Sequence, residues 1–221
     1  RAKGEENSEF LASSDNWFRP TMTKTGPDGA LYVADMYRLV IEHPQWIPPT
    51  MQSRVNLREG ADRGRIWRVF PKGAKLRKTP ILETKSVKEL VSLLDSPNGW
   101  QRDTVHRLLL ERKDPSASVD LRKLALAAKN PKVRLQALCI LEGLNGLDGK
   151  VLKQALSDAH PGVREHAVRV CEKEHAALIA SRIKDESIRV RRQVGFSLGE
   201  WKDPRAAEAL VALALANSSE P

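Results

Sequence analysis

Residues 26–38 read GPDGALYVADMYR. A proline that fixes φ, an Asp-Gly tight turn and a short apolar run form the turn-and-strand pattern of a β-propeller blade. From about residue 85 the pattern changes, and apolar residues recur at helical spacing in units of roughly 30 residues. This junction of two repeat architectures constrains the fold more than any other feature. One blade cannot bury its own hydrophobic face and packs between neighbouring blades. Residues 1–73 are therefore expected to be the C-terminal blade or blades of a larger propeller, with earlier blades upstream. Residues 74–85 read as a linker and 86–221 as helical repeats. The fold class is mixed, β then α: the C-terminal part of a β-propeller followed by a right-handed α-solenoid.

In the first third, Glu9–Ser13, Thr21–Thr25, Ala30–Ala34 and Arg65–Phe70 are strand candidates. Pro20 marks an edge or a break, and Ile66 and Phe70 are the apolar positions of the last strand. Leu39–Asp62 is an insertion with Pro44, Pro48 and Pro49. Trp46 and Ile47 offer it apolar area to bury, and long inserted loops in compact folds are often functional. Asp15, Asn16 and Arg19 precede a strand, Asp35, Tyr37 and Arg38 follow one, and His43 lies in the insertion beside Glu42. A histidine with a nearby carboxylate can act as a general base, and arginine holds a carboxylate-bearing quinone or an acidic sugar bidentately. The structural alternative has Asp35 capping a turn, Arg38 in an inter-blade ion pair and His43 anchoring the loop.

The motifs FLASSDNWFRP, GPDGALYVADMYR, VIEHPQWIP and DRGRIWRVFP occur in this order. Together they resemble a family of large bacterial proteins, described as membrane-bound dehydrogenases or haem-binding proteins, abundant in Planctomycetes and Verrucomicrobia. The propeller of that family is similar to that of soluble quinoprotein sugar dehydrogenases. Helical repeats follow it, and often a c-type cytochrome domain bearing CxxCH. The resemblance implies an exported oxidoreductase of the periplasm or cell envelope. It would act on a sugar or alcohol with pyrroloquinoline quinone and pass electrons to c-type haem. It places no catalytic base or cofactor-holding arginine on a numbered position of this chain, and the chain contains no CxxCH.

In the helical two-thirds, NPKVRLQALCIL (130–141), HPGVREHAVRVC (160–171) and ESIRVRRQVGFSL (186–198) repeat one pattern, with a degenerate copy at 99–109. The marker arginines Arg102, Arg134, Arg164 and Arg191 are 32, 30 and 27 residues apart, and with this pattern and spacing residues 86–221 resemble short HEAT-like helical repeats. Val133, Ala137, Leu138 and Leu141 make one apolar helix face. Val163, Ala167, Val168 and Cys171 fall in the same register, as do Val190, Val194, Gly195 and Leu198. Pro97, Pro131, Pro161 and Pro204 suit first helical turns, which need no N–H. The intervening helices are expected at 86–94, 119–129, 147–157 and 174–184. Cys139 and Cys171 face different directions in this register and read as free, buried or half-buried thiols. Arg134, Arg164 and Arg191 are candidates for binding phosphate or an acidic partner; the alternative pairs them with repeat-turn acids such as Asp158 and Asp185. His160, His166 and His175 lack metal-ligand spacing and read as surface residues; no metal site is expected.

The net charge of +9, from 37 Lys+Arg against 28 Asp+Glu, is spread over both parts. Residues 1–80 carry 14 against 9, and 81–221 carry 23 against 19. That balance lacks aromatic interleaving and disfavours nucleic-acid binding. No apolar run is long enough to span a bilayer. The residues themselves demonstrate no cofactor. Three readings stay open: the oxidoreductase fragment, its solenoid serving as spacer or as scaffold for a protein partner or cytochrome domain; a non-catalytic protein- or carbohydrate-binding scaffold; and a nucleic-acid-binding HEAT-like protein.

Overall fold

The computed structural model describes residues 6–171 and 175–216. The chain divides into two compact units, Arg1–Pro80 and Ile81–Pro221. The division falls inside the segment read as a linker. The outer limits at 1 and 221, and the expected helix start at 174, lie outside the described residues.

The first unit is built on an antiparallel meander of β1 (Pro20–Thr25), β2 (Leu31–Asp35) and β3 (Arg65–Val69), in that spatial order. The β1–β2 turn closes with Gly26 N–H donating to the Ala30 carbonyl at 2.8 Å, while Asp28 Oδ1 accepts from Ala30 N at 3.0 Å. Gly29 supplies the positive φ of 89° that this turn needs. Register is continuous from Leu31↔Val69 to Asp35↔Arg65. Between β2 and β3 the chain makes a 3-10 turn at Pro44–Trp46 and one helical turn, α1 (Pro49–Gln52). Gln52 Nε2 donates to the carbonyls of Pro44 and Ile47, both at 2.7 Å, and so holds the two turns together.

Three expectations for this unit are corrected. Glu9–Ser13 forms no strand: no described segment pairs with it, and Phe10 is 77% exposed. Trp46 is not an inward anchor, because the Gln52 clamp fixes the loop through backbone carbonyls and leaves the indole 76% exposed. Ile66 and Phe70 do not face a core either; Ile66 is 71% exposed. The described residues form one three-stranded sheet, whereas a propeller blade has four strands and repeats around an axis. Ala30 and Val33 are the only buried apolar side chains among the described residues of this unit.

The second unit is a two-layered stack of helices. They are α2 (Val87–Ser92), α3 (Gly99–Arg112), α4 (Ala117–Ala127), α5 (Pro131–Gly143), α6 (Gly149–Leu156), α7 (Pro161–Arg169), α8 (Ala176–Ala180), α9 (Ile188–Gly199) and α10 (Pro204–Ala216). In one layer α3, α5, α7 and α9 pack in succession; in the other α2, α4, α6, α8 and α10 do so. One apolar core runs between the layers, from Leu82 to Ala209. The repeat register holds at eleven of its twelve positions: Val133, Ala137, Leu138, Leu141, Val163, Ala167, Val168, Cys171, Val190, Val194 and Leu198 are buried, and Gly195 is half-buried.

Three intervening helices are shorter than expected, and α4 keeps its expected eleven residues but begins and ends two residues earlier. α4 and α6 end at Ala127 and Leu156, α2 passes into a 3-10 turn at Leu93–Asp95, and α8 covers only Ala176–Ala180. Pro131, Pro161 and Pro204 open their helices, but Pro97 lies outside α3, where Asn98 takes the cap. Cys139 is half-buried and Cys171 buried, and neither forms a disulfide. Two histidines are not surface residues. His166 is half-buried with Nδ1 3.0 Å from the Gly162 carbonyl, and His175 is half-buried before α8. His160 is exposed and caps α7 by accepting from Gly162 N at 3.1 Å. No described helix is long and apolar enough to cross a membrane.

Candidate functional site

In the first unit the sequence candidates converge on Asp35. It ends β2 and is buried. Its Oδ1 accepts from the backbone N–H of Arg19 and of Tyr37, each at 2.9 Å. Its Oδ2 accepts from Trp67 Nε1 at 3.0 Å, with Arg65 Nε at 3.8 Å. Burial pushes the Asp35 pKa up, but donors from Arg19, Trp67 and Tyr37 and the charge of Arg65 outweigh it and hold the group below the ordinary aspartate value. Asp35 is thus a fixed anion that ties the segment before β1 to β2 and β3.

Tyr37 stands beside it with φ 49°, a left-handed conformation uncommon for an aromatic residue. Its surroundings over-determine that geometry. Asp35 takes its N–H, and Arg38 N donates to the Trp17 carbonyl at 3.1 Å. Gly60 backs the peptide so closely that a Cβ there would lie 2.4 Å from the Tyr37 carbonyl oxygen. The Tyr37 ring has the Arg65 guanidinium 3.8 Å above it and the Trp17 ring 5.6 Å away. Its hydroxyl donates to Asp15 Oδ2 at 2.8 Å, while Asp15 Oδ1 accepts from Trp17 N at 3.0 Å. The Trp17 backbone bond and the Tyr37 hydroxyl bond hold Asp15 below its ordinary value.

The structure therefore brings Asp15, Arg19, Asp35 and Tyr37 together, and adds Trp17, Arg65 and Trp67, which sequence reasoning did not single out. The one signal for the last two was the alternation of β3, which sets Trp67 opposite Val33 and Arg65 opposite Asp35. Asn16 contributes only its carbonyl, which accepts from the Arg19 guanidinium. Arg38 donates to the Arg58 carbonyl at 3.0 Å and pins the base of the 39–62 segment. His43 is exposed and its Nδ1 caps the 3-10 turn from Gln45 N at 3.2 Å. Glu42 accepts from Ile41 N at 3.3 Å. Two carboxylates with depressed pKa make weak general bases at neutral pH.

In the second unit each marker arginine spans a repeat turn. Nη1 donates to the carbonyl six residues earlier: Arg102 to Ser96 at 2.6 Å, Arg134 to Ala128 at 2.7 Å, and Arg164 and Arg191 to Asp158 and Asp185 at 2.9 Å. Arg134 also grips Asp158 through Nε and Nη2 at 2.6 and 2.7 Å, and Arg164 grips Asp185 at 2.9 and 2.8 Å. These forks join one repeat to the next, and their geometry engages the edge that would read an external phosphate. Among the described residues no group of three His, Cys, Asp or Glu side chains is placed to hold a metal ion.

Among curated proteins none matches the chain. One solved structure, an engineered protein from a structural genomics consortium, is 17% identical over 59% of this chain and 69% of its own, with a TM-score of 0.37. Two segments match families: residues 1–73 match a domain of unknown function (DUF7133), and residues 149–221 match HEAT repeats.

Proposed function

We propose that this chain is the coupling piece of a multidomain protein. Its sheet unit seats against further β-structure, and its HEAT-repeat unit is a scaffold for a protein partner. One contrast carries the reading. The helical unit closes a continuous apolar core, whereas among the described residues the sheet unit buries only the apolar side chains of Ala30 and Val33 and leaves Met22, Ile66 and Phe70 exposed. A sheet with so little buried area is marginal alone. Hydrogen exchange on this chain tests the idea. Fast exchange of β1–β3 amides beside strong protection of α5, α7 and α9 is expected. Equal protection of both units would mean that the sheet is self-sufficient, and would remove the reading.

The finer reading adds chemistry: the β-structure would belong to an exported sugar or alcohol dehydrogenase using pyrroloquinoline quinone, with electrons passing to a c-type haem domain outside this segment. Its support is the resemblance of the four N-terminal motifs. In the described residues, Asp15 and Asp35 are held by neighbours and act as struts, so this chain contributes architecture to such an enzyme. Dye reduction by the intact parent protein with quinone, calcium and a sugar panel separates the cases: activity supports the dehydrogenase, and none leaves the scaffold.

A further inference from the structure

The helical unit carries a cleft of about 190 Å³ where the α5–α6 connection meets the end of α7. Leu147, Leu152 and Val170 form its apolar wall, and Glu142, Asp148 and His175 its polar side. Asp148 is anchored: its Oδ1 accepts from Val151 N at 2.9 Å and its Oδ2 lies 2.9 Å from Arg122 Nε. Glu142, at the end of α5, is exposed and has no ion pair among the described residues. His175 Nδ1 is shielded from solvent with no hydrogen-bond partner among the described residues. Orphaned buried polar atoms are rare in native proteins and call for a partner. Among the described residues the lining carries two carboxylates, and with Asp148 paired to Arg122 the Glu142 charge is left uncompensated in a chain whose total is +9.

We infer that this cleft takes a basic side chain, lysine or arginine, presented by a protein partner. The fit is by parts. A basic side chain has an apolar stem and a charged head; the cleft has an apolar wall and, at its polar side, a carboxylate unpaired among the described residues and an unpartnered ring nitrogen. The head donates to Glu142 and meets the unpartnered His175 ring nitrogen, and the stem covers Leu147, Leu152 and Val170. The inference rests on the scaffold reading of the helical unit and names the chemistry its partner must present.

The test is NMR titration of the intact chain, reading the His175 ring protons and Leu152 methyls. The probes are N-acetyl-arginine amide, N-acetyl-lysine amide and the neutral isostere N-acetyl-citrulline amide. The cationic probes are expected to give saturable shifts at both reporters. The citrulline probe should bind about tenfold more weakly, as should the arginine probe on Glu142→Gln, because a charge-assisted bond is lost. Glu142 is exposed, so that variant keeps the fold, which circular dichroism verifies. No saturable shift, or equal affinity for citrulline amide or for Glu142→Gln, overturns the site. A protein partner that still binds Glu142→Gln through another face would preserve the scaffold reading while removing this cleft from it.

Discussion

Arg164 and Asp185 show how much depends on which atom of a charge network is removed. Both are nearly enclosed, with side chains 6% and 3% exposed, while Glu186, the second partner of Arg164, is open to water. Asp185→Ala leaves a buried guanidinium facing an exposed carboxylate and should cost about 3 kcal/mol in urea unfolding. Glu186→Ala should cost less than about 1 kcal/mol, because an exposed partner is screened. Joint replacement by Met at 164 and Leu at 185 should recover most of the loss, since the net worth of a buried pair against apolar packing is small. The same pairs set a pH dependence. Burial pushes Asp158 and Asp185 up, but Arg134 and Arg164 outweigh it and hold both below the ordinary value. The unfolded chain then takes up these protons first as pH falls. The stability is fully present above the ordinary aspartate value of about 3.9 and drains away as pH drops through the depressed folded values. Urea midpoints from pH 7 to pH 3 should show that loss, and Asp185→Asn should flatten it.

At the scale of the element, each repeat turn uses one position two residues before its helix cap. Ser96, Asp158 and Asp185 stand there before Asn98, His160 and Ser187, and each side chain accepts from the cap residue's backbone N–H. Ala128 holds the same position before Asn130 and has no side-chain acceptor. Arg102, one repeat earlier, correspondingly donates to Ser96 O with no carboxylate fork of the kind that Arg134 and Arg164 have. Ala128→Asp should supply both bonds and stabilise the helical unit by about 1 kcal/mol; an unchanged or lowered urea midpoint would show that Arg102 cannot reach it. This regularity was legible in sequence because a helix face repeats locally: Val133, Ala137, Leu138 and Leu141 declare the buried side without reference to anything distant. The Asp35 cluster was only half legible. Asp15, Arg19 and Tyr37 flank strands in the motifs, but Arg65 and Trp67 arrive through β-register from 30 and 32 residues away. The exposure of Trp46 was not legible at all, since a backbone clamp by Gln52, and not burial of the indole, fixes that loop.

Across the whole molecule, apolar burial is unevenly shared, and substitution energies should map that inequality. Leu138 sits fully enclosed between the helical layers, so Leu138→Ala should cost about 2–5 kcal/mol. Met22 and Ile66 each pair with Ala34 across the sheet, from opposite sides, and both are exposed. A lysine at either position meets water, so Met22→Lys with Ile66→Lys should change the stability of this chain by no more than about 0.5 kcal/mol. The two outcomes separate two kinds of surface. If the double lysine variant is neutral, the Met22–Ala34–Ile66 face is solvated in this chain and is available to further β-structure, as the coupling role requires. If it destabilises as a core substitution does, that face is covered within the chain itself. The sheet would then be a finished domain, and the division of labour between a seated sheet and a self-sufficient helical stack would fail.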